Sequence, residues 1–337
     1  MQKNSLMNYI KFLFTLAVLL ATTSVANGQS ILSLSFDNHD ATTHLAPMAD
    51  GVHLERNSDQ RSCLIIAGKV DSQSLKPIAI RPQQKYKLTL RAAINTGDTI
   101  ETNDRLNDIS SVTRGSRFAG CEFYFTDENG ENVSIELRGN DAFAGTKQIQ
   151  VESIDVITQK MHDYVFVFQA PPTAQTLHIN LLPRKRTLRV EKLLLESEDD
   201  EGTVNCNPDF RYGELNRSGW NPDTEGRLFR RPDGTVVLKC GTNATSSPFT
   251  VDDQSRYSFR CQGTGYNKTD GKVIVLFFDE HGKELSHTHL FWDRDMNEEV
   301  TKAAIKPIQG AKIAMLKASH IILEKVMVTK DAAGGHD

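Results

Sequence analysis

The chain carries the same sequence module twice, and this duplication constrains its fold more than any other feature. Three pairs of segments match in the same order: 76–86 with 247–257, 125–130 with 277–282, and 190–193 with 323–326. The first pair ends in a tyrosine (Tyr86 and Tyr257) that is followed by an apolar-alternating run, and the second pair shares an Asp-Glu-x-Gly turn. Ordered matches indicate one fold used twice, so an architecture proposed for one copy must also suit the other.

Both copies show the pattern of β-strands. Short runs alternate apolar and polar residues and are separated by Gly, Asn, Asp and Pro, which is typical of antiparallel sheets with one face in a core. The predicted strands include 86–91, 164–168, 177–181, 236–238, 257–261, 273–278 and 313–316, of which 177–181 alternates strictly. No amphipathic helical stretch of three turns follows the first 28 residues. The sequence therefore predicts an all-β chain of two tandem antiparallel β-sandwich (jelly-roll) domains.

Residues 1–28 have the features of a signal peptide. Lys3 and Lys11 form a basic start, residues 12–21 are apolar, and small residues at 24–28 suit cleavage. The apolar run is too short to span a bilayer, so a membrane anchor is the less favoured alternative. We expect an exported protein (secreted, periplasmic or cell-surface) with no stable membrane span in the mature chain.

The remaining chain divides at an acidic segment. Glu198 to Gly202 holds four like charges and a glycine, which predicts a short solvated linker. The expected domains are a divergent first module at 29–197, the linker at 198–202, a second module at 203–331 and a flexible tail at 332–337. Removing two lysines and no acids with the signal peptide changes the formal charge from −4 to −6. This mild acidity argues against nucleic acid as a partner.

The five cysteines do not form a recognisable framework. They are Cys63, Cys121, Cys206, Cys240 and Cys261. Export permits disulfides, yet no cysteine pair occupies matched positions in the two copies, and no CxxC or zinc-type spacing occurs. Small buried apolar side chains are the favoured interpretation, and the sequence leaves any pairing open.

The second copy opens with Asn207-Pro208-Asp209-Phe210-Arg211-Tyr212-Gly213 followed by Gly219-Trp220. This opening resembles that of carbohydrate-binding modules of the cellulase-C type. The resemblance implies a galactose-binding-like jelly roll that binds glycan, with Trp220 in its core. The first copy keeps only Ser35-Phe36-Asp37 and has no Gly-Trp, so it resembles the family mainly through the internal repeat.

The resemblance also bears on calcium. The family's last strand usually carries acidic residues that can serve a structural calcium ion, whereas the matching positions here are Glu191-Lys192 and Glu324-Lys325. Calcium needs several oxygen ligands, so Lys192 and Lys325 disfavour it. We therefore expect no cofactor, with a structural calcium ion as the disfavoured alternative.

Candidate ligand-binding residues follow from the chemistry of sugar recognition, which uses a flat apolar surface with polar groups at its rim. In the second copy, Trp292 could stack on a pyranose while Asp293 and Arg294 bond hydroxyls, with Tyr266 nearby. Since adjacent strand residues face opposite sides, one of Phe291 and Trp292 should lie in the core.

In the first copy, the weaker candidates lie around a polar insertion at residues 95–117. Arg114 and Arg117 could bind carboxylates or sulfates, with Phe118 and Phe143 beside them. A solvated loop is the favoured alternative for this insertion. His287 and His289 share a strand face, but a metal site needs more ligands than these two.

The sequence favours an exported, non-catalytic carbohydrate-binding protein with a glycan or polysaccharide as its partner. It contains no GxSxG, P-loop or dinucleotide fingerprint. Two alternatives remain: a structural or adhesive surface protein that mediates protein contacts, and a glycoside hydrolase or polysaccharide lyase whose jelly roll carries two facing carboxylates. Among binding scenarios, we expect residues 203–331 to hold most glycan affinity, and Trp292→Ala to weaken it about tenfold.

Overall fold

The computed structural model describes residues 30–37, 39–56, 61–95, 119–139, 146–149, 152–198, 202–212, 219–221, 227–265, 271–293 and 299–331. These ranges form twenty-five strands and one short 3₁₀ helix, His39–His44, and contain no α-helix. The predicted all-β, antiparallel fold is confirmed. The predicted signal peptide and tail lie outside the described residues.

The first module consists of fourteen strands. They are β1 (Ser30–Ser35), β2 (Val52–Arg56), β3 (Ser62–Ile66), β4 (Gln73–Ser74), β5 (Ile78–Ala79), β6 (Lys85–Ile94), β7 (Ala119–Thr126), β8 (Asn132–Val133), β9 (Ile135–Arg138), β10 (Thr146–Ile149), β11 (Glu152–Val156), β12 (His162–Gln169), β13 (Thr176–Leu182) and β14 (Leu188–Ser197). Sheet A has the order β12-β6-β14-β3-β2 with β1 beside β14, and sheet B has the order β11-β7-β13-β4. Strands β9 and β10 form a separate hairpin, called the bridging hairpin below.

The second module consists of eleven strands. They are β15 (Trp220–Asn221), β16 (Arg227–Arg230), β17 (Val236–Lys239), β18 (Ala244–Ser246), β19 (Phe249–Thr250), β20 (Tyr257–Gly265), β21 (Gly271–Phe278), β22 (Glu284–Asp293), β23 (Glu299–Ile305), β24 (Ile313–Ser319) and β25 (Ile321–Lys330). Sheet A′ has the order β23-β20-β25-β17-β16, and sheet B′ has the order β22-β21-β24-β18-β15. A and A′, and likewise B and B′, follow the same order of strands along the chain, so the sequence duplication is a duplication of topology.

Each module packs its two sheets around one apolar core. In the first, leucines of β6 such as Leu88 and Leu90 lie in one buried cluster with Phe123 of β7 and Leu177 of β13. In the second, Phe210 packs edge-to-face on Trp220 with ring centroids 5.7 Å apart. Trp220 is 1% exposed, which confirms its predicted core position.

The repeated tyrosine has the same structural role in both modules. The Tyr86 hydroxyl accepts the backbone N–H of Arg81 at 2.6 Å, and the Tyr257 hydroxyl accepts that of Asp252 at 2.9 Å. Both tyrosines are almost fully buried. The hydroxyl therefore accepts a backbone N–H of the loop that precedes the central strand. This shared contact explains why the segment before the tyrosine is the longest match between the copies.

The shared Asp-Glu-x-Gly segment also forms one turn twice. Asp127 accepts backbone N–H groups of residues 129 and 131, both at 2.9 Å, and Asp279 accepts those of residues 281 and 283 at 2.9 and 2.8 Å. Gly130 and Gly282 have φ of +79° and +77°, a conformation that favours glycine. The aspartates and glycines are thus turn formers, as their spacing indicates.

The third match places a glutamate beside an arginine in each module. Glu191 accepts a 2.9 Å hydrogen bond from Nε of Arg91, and Glu324 pairs with Arg231 and accepts from the Gln262 amide at 2.7 Å. In both copies, a guanidinium group therefore lies next to the glutamate at the position that the family resemblance connects with calcium.

All five cysteines are buried thiols. Burial raises the pKa of Cys121 to about 12, which keeps it a protonated thiol. Cys121, Cys240 and Cys261 lie within the apolar cores of the two modules, which agrees with the interpretation favoured from the sequence.

The modules contact each other through the bridging hairpin. On β21, Val273, Val275 and Phe277 face the core, whereas the alternate residues form a second buried cluster with Leu137 of β9. The residues that surround Leu137 are Ile274, Leu276, Phe278, Ile313 and Met315. In addition, the N–H of Arg138 donates to the carbonyl of Gly282 at 2.7 Å. The first module therefore covers part of the outer face of sheet B′.

Two further contacts join the modules near the predicted linker. The buried ammonium of Lys85 donates to the carbonyl and hydroxyl of Thr203 at 2.6 and 3.2 Å. Glu198 lies 3.7 Å from Nζ of Lys87 and accepts a hydrogen bond from the hydroxyl of Tyr212. The first residue of the predicted solvated linker is thus packed, because these partners satisfy its charge. Residues 199–201 lie outside the described ranges.

Candidate functional site

The outer face of sheet B presents an aromatic and polar surface, called the platform below. Strand β7 buries alternate residues such as Phe123 and Phe125, which turns Glu122 and Tyr124 outward. Strand β13 buries Leu177, Ile179 and Leu181, which turns His178 and Asn180 outward. These outward residues are the platform's centre.

The aromatic part of the platform is a stacked pair. His178 and Tyr124 are directly opposite in the register, and their rings are 4.7 Å apart with an interplanar angle of 5°. The His178 Nε2 atom lies 3.0 Å from the Thr126 hydroxyl. Both rings are partly exposed. Each ring therefore covers one face of the other, which orders the pair and leaves the outer faces and edges as its partly exposed aromatic surface.

A polar row crosses the sheet beside this pair. The register aligns Ser74, Asn180, Glu122 and Ser153 on four adjacent strands. The Ser74 hydroxyl donates to the Asn180 side-chain oxygen at 2.7 Å, and Arg184 pairs with Glu122. Amide, hydroxyl, carboxylate and guanidinium groups thus stand next to the aromatic surface, which is the combination that binds sugars through ring faces and hydroxyl groups.

Sequence reasoning missed the platform, although part of its signal is visible. Residues 177–181 alternate strictly, which already places His178 and Asn180 on the face opposite the core. The pairing of His178 with Tyr124 depends on β13 lying beside β7, and that sheet order cannot be read from local periodicity. The binding residues predicted from the sequence were instead Trp292 with its neighbours and the arginines of the polar insertion.

Trp292 stands on the equivalent sheet of the second module. The register pairs it with Lys272, and pairs Phe291 with Val273. Because Val273 belongs to the core, position 291 is on the core face and position 292 on the outer face. Asp293 ends the same strand, opposite Gly271. The roles of Trp292 and Asp293 in binding stay predictions.

The other predicted ligand residues, Arg294, Tyr266, Arg114 and Arg117, lie outside the described residues, as does Phe143. Their roles in binding stay predictions.

The outer face of sheet B′ also carries basic groups between the hairpin-covered part and position 292. His287 and His289 are exposed, with rings 5.9 Å apart, and Nδ1 of His287 lies 3.4 Å from the buried carboxylate of Glu284. Burial, with His287 and Lys272 nearby, lowers the pKa of His289, and burial lowers the pKa of Lys317. Over the described ranges, no three His, Cys, Asp or Glu side chains group closely enough to hold a metal ion.

The His178 imidazole should make stability depend on pH. Burial lowers its pKa below the ordinary value of 6.5, so its stabilising contribution is present above that value and is lost as pH falls through the folded-state pKa. We expect the free energy of unfolding to fall between pH 7 and pH 5 by more in the native chain than in His178→Gln. Urea unfolding at both pH values checks this, and equal losses in the two proteins would contradict it.

Comparison with solved structures finds likenesses to carbohydrate-binding modules. The tandem CBM22-1–CBM22-2 domain of Xyn10C from Paenibacillus barcinonensis is 12% identical at a TM-score of 0.33, covering 91% of this chain and 99% of that one. Its single CBM22-1 xylan-binding domain is 13% identical at a TM-score of 0.32, covering 52% of this chain and 97% of that one.

A carbohydrate-binding module of lichenase 5A from Cellvibrio mixtus, solved with cellotriose, is 11% identical at a TM-score of 0.26. It covers 51% of this chain and 100% of that one. No protein-family model and no curated protein matches the sequence. Within the described ranges, the structure has no helix with the length and apolar character that crossing a bilayer requires.

Proposed function

We propose that this protein is an exported, non-catalytic carbohydrate-binding protein whose principal glycan surface is the platform on sheet B. The observation that carries the proposal is the stacked Tyr124–His178 pair beside the polar row that includes Asn180 and Glu122. A pyranose ring has an apolar C–H face and a rim of hydroxyls, and these two surfaces match the two parts of the platform.

The structure also gives a reason to favour the first module over the second. The face of sheet B′ that corresponds to the platform is partly covered by Leu137 of the bridging hairpin. The part of this face around position 292 lies at the other end of β21, away from Leu137. It is therefore a second surface that a glycan could contact. The isolated segment 203–331 would expose the cluster that Leu137 covers, so binding is best tested on the full chain.

One feature supports a binding rather than a catalytic role. The carboxylate at the centre of the platform, Glu122, pairs with the Arg184 guanidinium, which occupies a group that hydrolysis would need as acid or nucleophile. Incubation with a bound polysaccharide should therefore release no reducing ends. Release would establish the enzymatic alternative.

Tyr124→Ala should weaken glycan binding about tenfold, roughly 1.4 kcal/mol, because it removes the stacking surface and leaves His178 without its neighbour. Affinity electrophoresis on a panel of neutral and acidic polysaccharides identifies the ligand, and isothermal titration then measures each variant. Tyr124→Phe keeps the ring and is the matched control, with near-native affinity expected. An unchanged affinity in Tyr124→Ala would remove the platform from the proposal, and binding of proteins but no glycan would favour the adhesive alternative.

A further inference from the structure

A cavity of about 660 Å³ lies between the two modules. The first module contributes Gln83, Gln169 and the turn at residues 171–173, and the second contributes residues 250–252 and Lys312. This volume falls within the ~300–1,000 Å³ typical of small-molecule sites. The cavity shares no residue with the platform.

Hydrogen bonds across the junction hold the cavity wall in place. The side-chain amide of Gln169 donates to the Gln83 carbonyl at 2.9 Å and accepts the Thr250 N–H at 2.8 Å. One amide therefore joins both modules, and its two partners fix which end is oxygen. On the facing side, the Asp252 carboxylate accepts from Nζ of Lys330 at 2.7 Å and from the Ser255 hydroxyl at 2.9 Å. The polar groups are thus oriented without a ligand.

The charges that line the cavity balance. Asp252 and Glu280 are opposed by Lys312 and Lys330, so the charges of these four side chains cancel. A strongly charged ligand would gain little electrostatic attraction here. The other polar lining groups are amides and hydroxyls, which both donate and accept.

Apolar surface completes the lining. Pro171, Pro172, Val133 and Ile313 stand among the polar groups. The rigid ring of proline presents C–H surface, against which the C–H face of a sugar ring can pack. A neutral ligand with many hydroxyls and an apolar face satisfies all of these features together.

We propose that this cavity is a second ligand site, for a short neutral saccharide, and that it exists only while the modules are docked. The cavity lining and the platform are independent because they share no residue. Failure of one site therefore leaves the other intact.

The test uses the full chain with glucose, cellobiose, xylobiose and glucuronic acid as probes, measured by saturation-transfer NMR and titration. Thr173→Trp fills the cavity from an exposed turn position, and Ser134→Trp does the same from a second exposed position. We expect a neutral probe to bind saturably, to lose affinity about tenfold in each filling variant, and to keep its affinity in Tyr124→Ala.

Three outcomes would overturn the proposal. The first is that no neutral probe binds saturably to the Tyr124→Ala chain. The second is native affinity in both filling variants, with circular dichroism confirming that they are folded. The third is tighter binding of glucuronic acid than of glucose, which would assign the cavity to anions instead.

Discussion

Leu137→Ala should destabilise the second module although the residue belongs to the first. Leu137 is fully buried among five apolar side chains of sheet B′. Leucine-to-alanine changes at such positions cost about 2–5 kcal/mol, through lost burial and the cavity that remains. Part of that loss should appear in the unfolding of sheet B′, because β21 then has one apolar face poorly covered.

The chain offers a direct measurement of this effect. Its two tryptophans, Trp220 and Trp292, both belong to the second module, so tryptophan fluorescence during urea unfolding reports on that module. The midpoint should fall in Leu137→Ala. Leu54→Ala is the matched control, since Leu54 is 37% exposed and surface changes usually stay within about 0.5 kcal/mol. An unshifted fluorescence midpoint in Leu137→Ala would show that the hairpin does not support sheet B′.

Gly282→Ala should be the second strongly destabilising change. A Cβ at this position would lie 1.9 Å from the carbonyl oxygen of Glu136 on β9. The backbone of the hairpin would have to move away, which would weaken the Arg138–Gly282 hydrogen bond and the packing of Leu137. The positive φ of Gly282 adds a cost of about 1–2 kcal/mol for any residue with a Cβ.

The duplication supplies the control for this change. Gly130 has nearly the same φ in the same turn, and a Cβ there would meet nothing within 4 Å. The cost of Gly130→Ala therefore measures backbone strain alone, and the excess cost of Gly282→Ala measures the approach of β9. We expect an excess of at least about 1 kcal/mol from urea unfolding. Equal costs at the two positions would contradict a close contact between the modules.

Much of the fold could be predicted because its determinants are local. Alternation defined strands such as β13 and β20, and the ordered matches predicted one topology used twice. The tyrosine and aspartate of those matches each make the same contacts in both copies. Local hydrogen bonds of this kind leave a sequence signature.

The contact between the modules left a weaker signature. Residues 273–278 are all apolar, which is compatible with a strand buried on both faces, but nothing nearby in sequence names Leu137 as the cover. The platform was missed for a similar reason, since Tyr124 and His178 are 54 residues apart by number and meet only through sheet order. The role of Trp292 in ligand binding remains a prediction. The register places this position on the outer face of sheet B′.

The bridging hairpin also restricts how this protein could be rearranged by recombination. A transfer of residues 203–331 into another gene would expose the apolar side chains of β21 and β24 that Leu137 covers. Exposed apolar surface of this kind promotes aggregation. The reverse transfer would leave Leu137 of the hairpin without the apolar side chains that it packs against. Although the two halves descend from one repeated unit, they are no longer interchangeable parts, and we expect them to be inherited and expressed together.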